Sequence, residues 1–394
     1  MAPSEDRISK LDDKIIHHIL SYVPTKDAVT TSVLSKRWTN LWCFVPFLDF
    51  SDIKLADHES FLWFNQFFCT VMLFRETYAS NSIDSFSLDI QYAHLNYFSI
   101  LRLNNWLYLL GKRNVKYLNL HLNFLNALLV DVQHRKTLTP KLPSTIFTCK
   151  TLVVLNISWF AFKGFSFSSV GFGFGFPSLK TLHFNHIYFN HLSDFLLLLA
   201  GCPVLEDFKA CHVFTLEEEE EATQESTLNL SNLIRTDIID TNFDIPMKAL
   251  FNSVFLRIQL CQRYTSYDFP TFNNLTHLVI NYYLDMFIKV LYHCPNLQKL
   301  ELYQTQTDCD QKGQQSWVNP TSAPQCLSLH LTTCTIRDFA FVDLQNDIML
   351  ARYILNNARV LQTMMIWSDK EQPQIERELS SCPRASTTCQ LSVY

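Results

Sequence analysis

From Asp12 onward the apolar residues Ile15, Ile16, Ile19, Leu20 and Val23 recur with the period of an amphipathic helix. Asp12 and Asp13 supply its cap and Pro24 its stop. Thr25 opens a second short helix and Ser32 a third, in which Leu34, Trp38, Leu41 and Trp42 share one face while Ser35, Lys36 and Arg37 fall largely on the other. A unit of about forty residues has too little interior for two tryptophans and this many aliphatics, because domains so small rely on staples or a partner. Part of this apolar surface is expected to dock elsewhere. His17 and His18, about 100° apart on a helix, read as surface residues.

Beyond Leu55 the pattern changes to short L-x-x-L-x-L units, the signature of leucine-rich repeats, each giving one strand of a parallel sheet. The middle apolar residue of each unit marks the register: Leu118, Leu155, Leu182, Phe208, Thr236, Leu256, Leu278, Leu300, Leu329 and Met364. Phe195–Phe208 and Phe287–Leu300 are internal copies of one another, each an apolar helix, a Cys-Pro step and a strand. Pro203 and Pro295 end the helices, and Cys202 and Cys294 are small enough to tuck under the turn. Met349–Ile366 repeats the order with Ala358-Arg359 in place of Cys-Pro, and Cys382-Pro383 is a degraded echo.

Composition narrows the chemistry. Only 18% of the 394 residues are charged, 48% are hydrophobic and 32 are Phe, so this is a chain rich in core residues. The net charge of −5 comes with no run of Lys or Arg, which argues against nucleic acid or an anionic membrane as a partner. Seven glycines are few for phosphate-binding loops. Three of them lie in Phe165–Phe176, but Phe176 stands where G-x-G-x-x-G needs its last glycine. The twelve cysteines contain no C-x-x-C and read as reduced, mostly buried thiols. With no apolar signal core at the N-terminus, the expected location is cytoplasm, nucleus or both, and the sequons at Asn156, Asn229 and Asn274 carry no meaning. The run Glu217–Glu221 reads as a solvated loop within an acidic segment, residues 215–227.

Asp6–Phe50 resembles the F-box of plant F-box/leucine-rich-repeat proteins, through Ile8-Ser9, Leu11, Ile15-Ile16, Ile19-Leu20-Ser21, Pro24-Thr25-Lys26-Asp27-Ala28, Thr31 to Trp38, Leu41-Trp42, Val45-Pro46 and Leu48-Asp49-Phe50. The family usually has Pro where this chain has Asp12. Gln325–Trp367 resembles the FBD segment that ends many plant F-box proteins. The resemblance implies an α/β fold: a short N-terminal three-helix F-box, then an irregular leucine-rich-repeat solenoid with parallel strands on the concave face and helices on the convex face. The expected divisions are residues 1–50 for the F-box, 51–113 for a helical or irregular connector, 114–323 for the repeats, 324–370 for the FBD-like terminal repeat and cap, and 371–394 for a tail.

In that family the F-box docks on the Skp adaptor of a cullin-RING ubiquitin ligase and the repeats bind a protein substrate. The resemblance thus implies adaptor contact through some of Ile8, Leu11, Ile15, Ile16, Ile19, Leu20, Pro24, Val33, Leu34, Trp38, Leu41 and Trp42. Periodicity does not separate those that face the adaptor from those that form the internal core. Strand alternation puts the substrate on Asn156, His183, Asn185, Arg257, Gln259, His277, Asn281, Lys299, Glu301 and Tyr303, a polar and nearly neutral set. No cofactor and no metal is expected: the cysteines lack zinc spacing, and His183, His186 and His191 do not share one face. No G-x-S-x-G or H-E-x-x-H occurs, so the expectation is an adaptor subunit and not an enzyme. A small-molecule-sensing receptor, or a repeat scaffold no longer assembled into a ligase, stays open on the residues.

Overall fold

Asp12 accepts a hydrogen bond from the Lys14 N–H at 3.2 Å and starts helix α1 (Asp13–Leu20). The Asp12 backbone, at φ −63° and ψ 147°, would also suit proline. Helix α2 (Thr25–Thr30) follows Pro24. The helix expected from Ser32 is instead two 3-10 segments, Thr31–Val33 and Trp38–Phe44. The hydroxyls of Thr30, Thr31 and Ser32 each bond the carbonyl three residues back, at 2.7, 2.7 and 2.6 Å, and such local bonds compete with helix continuation. Arg37 turns back to donate to Asp13 Oδ1 at 2.6 Å and to the Leu11 carbonyl, fixing the second segment to the start of α1.

The computed structural model describes residues 7–79, 83–92, 100–111, 113–124, 139–143, 146–147, 149–162, 175–216, 228–243, 245–259, 269–281, 284–304, 317, 320, 322–339, 343–369 and 372–394. The acidic run Glu217–Glu221 and most of the Phe165–Phe176 stretch lie outside them. The chain divides into two units, residues 1–205 with 212–225, and residues 206–211 with 226–394.

In the first unit the repeat sheet begins earlier than expected. Strand β1 (Phe47–Leu55) starts inside the F-box segment and pairs in parallel with β2 (Ser85–Tyr92), so the stretch expected as a connector is already repeat. Helix α3 (His58–Tyr78) joins them, and α4 (Ile100–Gly111) leads to β3 (Tyr117–Phe124). Strands β4 (Val154–Phe162) and β5 (Thr181–Phe189) complete the parallel series, and α5 (Leu192–Ala200) follows. Leu48, Phe86, Leu118, Leu155 and Leu182 stand in one register column, all buried. The phenylalanines form the layer between sheet and helices: Phe50 lies 5.3 Å from Phe68, which lies 5.0 Å from Trp106. Of the glycine-rich stretch, Gly175 is described, at φ +134° and so close to Gly201 that a Cβ would sit 2.7 Å from the Gly201 carbonyl oxygen. Its glycine serves backbone packing rather than a phosphate.

The F-box helices are joined to this sheet. Trp42 meets Phe74 of α3 at 6.1 Å, and Thr25 Oγ1 accepts from the Asp49 N–H of β1 at 2.8 Å. Arg75 of α3 donates to the Val45 carbonyl, and burial pulls its pKa down to about 10, which leaves it charged at neutral pH.

The second unit begins with the first part of β6 (Asp207–Thr215) and continues through β7 (Arg235–Ile239), β8 (Phe255–Ile258) and β9 (His277–Asn281). Then come α6 (Leu284–Tyr292), β10 (Lys299–Tyr303), α7 (Gln325–Leu329), β11 (Thr333–Ile336), α8 (Leu344–Asn357), β12 (Thr363–Ile366), α9 (Gln372–Ser380) and β13 (Gln390–Val393). All pairings are parallel, with Phe208, Thr236, Leu256, Leu278, Leu300, Cys334, Met364 and Leu391 in one column.

Two expectations change here. Leu329 is not a strand marker: Pro324 precedes the short helix α7, which contains Leu329, and Cys334 takes the column position. Residues 371–394 are not a tail but a further helix and strand, with Ile375 and Leu379 fully buried. The Cys-Pro steps behave as expected. Cys202 and Cys294 are fully buried, and burial raises both thiol pKa values, that of Cys202 to about 12.

Asp12→Pro should leave the fold nearly unchanged. The lost cap costs about 1 kcal/mol, and a proline fitting the native φ returns about 0.4–1 kcal/mol through the unfolded chain. Urea denaturation should place the variant within about 1 kcal/mol of the parent.

Candidate functional site: the F-box surface and the open strand face

Helix α1 carries two apolar stripes about 100° apart, and they part company. Ile16 and Leu20 point into the F-box core with Trp38, Leu41 and Trp42, all buried. These five are therefore a correction to the expected contact set: they support the surface from beneath. Ile15 and Ile19 face out, joined by Ile8, Val33 and Leu34, of which Val33 is 85% and Leu34 64% exposed. Pro24 is exposed and Leu11 half-buried. Tyr22, 77% exposed, and Phe44 add to the outward apolar set and escaped the sequence reading. His17 is half-buried and stacks on Phe44 at 5.6 Å, while His18 meets Tyr22 at 5.1 Å.

The open face of the sheet differs between the two units. In the first, β3 to β5 carry an uncharged ladder, while Asp49 and Asp89 stand on the same side of β1 and β2. Asn156 Nδ2 donates to Asn119 Oδ1 at 2.6 Å, His121 bonds Ser158 at 2.9 Å, and His183 and Asn185 stand beside Asn156 and Ser158 on the next strand. Trp159, His186 and His212 all have left-handed backbones, φ 65°, 54° and 53°; the Trp159 and His186 rings stack at 4.1 Å, and His212 meets His186 at a tilt at 4.4 Å. A tryptophan in that region is strained. His186 is held by its stack on Trp159 and by Asn185 at 2.8 Å.

In the second unit the face is charged and aromatic. Arg235 lies over Phe255 at 3.9 Å, Phe255 meets the edge of His277 at 4.8 Å, and His277 Nε2 reaches Glu301 at 3.2 Å. Arg337 stands 3.9 Å from the other Glu301 oxygen and 6.0 Å from the Trp367 ring, which stacks on Tyr394 at 4.6 Å. Arg257 faces the buried Asp237 at 3.8 Å. Gln259 accepts from the Asp240 N–H at 3.1 Å. Lys299 is exposed, but Asn281 is buried and Tyr303 donates its hydroxyl to the Ile258 carbonyl at 3.3 Å. Asn281 therefore belongs to the floor of this face rather than its surface, because the alternation that exposes residue 277 tightens toward the strand end. Arg235, Phe255, Arg337, Trp367 and Tyr394 were missed; the same alternation carried one step before or three beyond each marker finds them.

With this geometry in hand, three family models match the chain: the F-box domain over residues 8–50, the leucine-rich repeats of FBD-associated F-box protein At5g56370 over 103–218, and FBD over 319–366. Together they span more than half of the sequence. The chain belongs to the plant F-box/FBD/leucine-rich-repeat proteins. Full-length relatives agree with this. The Arabidopsis thaliana FBD-associated F-box protein At4g10400 is 27% identical, with 98% of this chain and 99% of that protein covered. Arabidopsis F-box/FBD/LRR-repeat protein At4g26340 is 25% identical over the same shares, and the putative FBD-associated F-box protein At5g56440 is 28% identical over the same shares. Membership assigns this F-box/FBD/leucine-rich-repeat protein the general role of a substrate adaptor, with an F-box of the kind that binds Skp-type adaptors. No helix among the described residues is long and apolar enough to cross a membrane.

Desolvation lowers the pKa of His121 and of His277 below the ordinary 6.5, outweighing the opposing pull of Asp89 and Glu301. Both rings are then neutral at pH 7, so His277 and Glu301 share a hydrogen bond rather than an ion pair. The unfolded chain binds these protons more readily, so stability is fully present above pH 6.5 and falls as the pH drops below it. Thermal midpoints between pH 7.5 and 5.5 should decline, and the double variant His121→Asn, His277→Gln should show a shallower slope.

Proposed function

We propose that this protein is the non-catalytic, substrate-recognising subunit of an SCF-type (Skp adaptor, cullin, F-box) E3 ubiquitin ligase. It docks on the adaptor through its F-box, and through it joins cullin and RING protein, while the repeats hold a target protein for ubiquitination. One observation carries the reading: Ile8, Ile15, Ile19, Val33 and Leu34 stay exposed on a segment whose own core is already closed by Ile16, Leu20, Trp38, Leu41 and Trp42. A monomer has no structural use for so much outward apolar surface in one small unit, and such patches mark protein interfaces. The mechanism asks no catalytic group of this chain. Tethering a substrate lysine near a carrier-bound ubiquitin raises its effective concentration, and the rate follows. We assign the activity to the cytoplasm or nucleus, in keeping with cysteines that are all unpaired among the described residues.

Pull-down with a Skp-type adaptor tests the docking. Val33→Asp with Leu34→Glu should abolish capture while shifting stability by no more than about 0.5 kcal/mol per site. Trp38→Ala should instead cost about 3–5 kcal/mol of folding stability. Undiminished capture by the folded double variant would overturn the assignment.

A further inference from the structure

We propose that the open strand face of the second unit recognises an acidic segment of its protein partner, with aromatic residues as a second anchor. The proposal rests on the target-binding reading above and names the chemistry of the target. The chain as a whole is acidic, at −5, yet this face has an excess of unmatched cations. Lys209, Arg235 and Lys299 are exposed, and none has a carboxylate within ion-pair distance among the described residues. Five cations, Lys209, Arg235, Arg257, Lys299 and Arg337, share the face with three acids: Asp237 faces Arg257 at 3.8 Å, Glu301 is engaged by His277 at 3.2 Å and Arg337 at 3.9 Å, and the half-buried Asp207 stands beside Arg235 in the register.

These cations belong to a continuous path. Arg235, Phe255, His277, Glu301, Arg337, Trp367 and Tyr394 touch in sequence, diagonally from β7 to β13. Period-two alternation puts them on one side of the sheet. At its end Trp367 and Tyr394 stack together and remain 44% and 49% exposed, which offers an apolar landing site with a rigid shape. Arg235 is held over the Phe255 ring, its guanidinium carbon 3.9 Å from the centroid, a contact that leaves its N–H donors available to a carboxylate. The face of the first unit lacks such a cluster of cations: Asn119 and Asn156 bond each other, as do His121 and Ser158, and the charged residues beside them on β1 and β2, Asp49 and Asp89, are acids.

The test uses the full chain and three fluorescein-labelled synthetic peptides of equal length: one of Glu, Asp and Phe, one with Gln and Asn in place of the acids, and one with Lys. Fluorescence anisotropy should show the acidic peptide binding at least tenfold more tightly than the other two, with affinity falling as salt rises. The variant Arg235→Glu, Lys299→Glu should weaken the acidic peptide at least tenfold, and Trp367→Ala should weaken it without changing the salt dependence. Equal binding of the three peptides, no binding of any, or an unchanged affinity for the charge-reversed variant would overturn the proposal. So would displacement by inorganic phosphate at constant ionic strength, which would assign the face to a small anion. The same variants are carried through the adaptor pull-down. Retained capture with lost peptide binding separates this face from the F-box, and lost capture by the parent chain would count against the ligase reading alone.

Discussion

A strand of four to nine residues cannot enclose its own inward side chains, and everything in this protein follows from how that is solved. Each strand lies in parallel beside the one before, so the inward residue of one is roofed by the inward residue of the next. In the first unit the column runs Leu48, Phe86, Leu118, Leu155, Leu182. In the second it runs from Phe208 to Leu391 without a break. The column also dictates the rest of the geometry. Once the marker points in, its neighbours at one residue before and one and three after must point out, and the helices must lie on the other side. Even a polar member is admitted when its hydrogen bonding is settled locally: Thr236 is fully buried and shares a 2.9 Å hydrogen bond with the equally buried Ser253.

The F-box solves its own shortage of interior by borrowing from this arrangement. Its tryptophans are covered partly by α3, and its last residues become β1, so the helices and the first repeat share one core. That covers one stripe of α1 and leaves the other outside. The apolar surplus is divided, with Ile16 and Leu20 inside and Ile15 and Ile19 outside. Arg37, clamped to Asp13 and Leu11, holds the outward set in a fixed arrangement, which matters because a preorganised surface loses little freedom when it binds.

Much of this was legible in the residues. Every marker from Leu118 to Leu300 stands in its register column, because alternating apolar residues between turn signals have one reading once the repeat is recognised. Leu329 failed because Cys-Leu-Ser-Leu after a proline has the composition of a strand and the geometry of a helical turn; only the position of the next strand decides between them. The stretch after Leu55 failed for a different reason. The alternation in Ser85–Tyr92, buried at every second residue, is as clear as any in the chain, but the long apolar helix α3 before it masked the repeat spacing. Trp38 and Trp42 could not be sorted from Leu34 by periodicity, because the segment is 3-10 and broken, and a 3.6-residue wheel does not apply to it.

The outward positions obey another rule, and this explains why they were the hardest to read. An inward residue is constrained by volume, so its identity reports its place; a surface residue away from special features changes stability by only about 0.5 kcal/mol either way, so folding scarcely constrains it. The sheet can therefore carry an Asn, Ser and His ladder on three strands and an arginine and aromatic diagonal on others with no change in the column beneath. Folding fixes where each outward side chain stands, and what remains in its identity is the chemistry of whatever it meets. The charge and ring pattern from Arg235 to Tyr394 is information of that kind. No demand of the core accounts for a cation placed over Phe255, or for two large, half-exposed rings stacked at Trp367 and Tyr394.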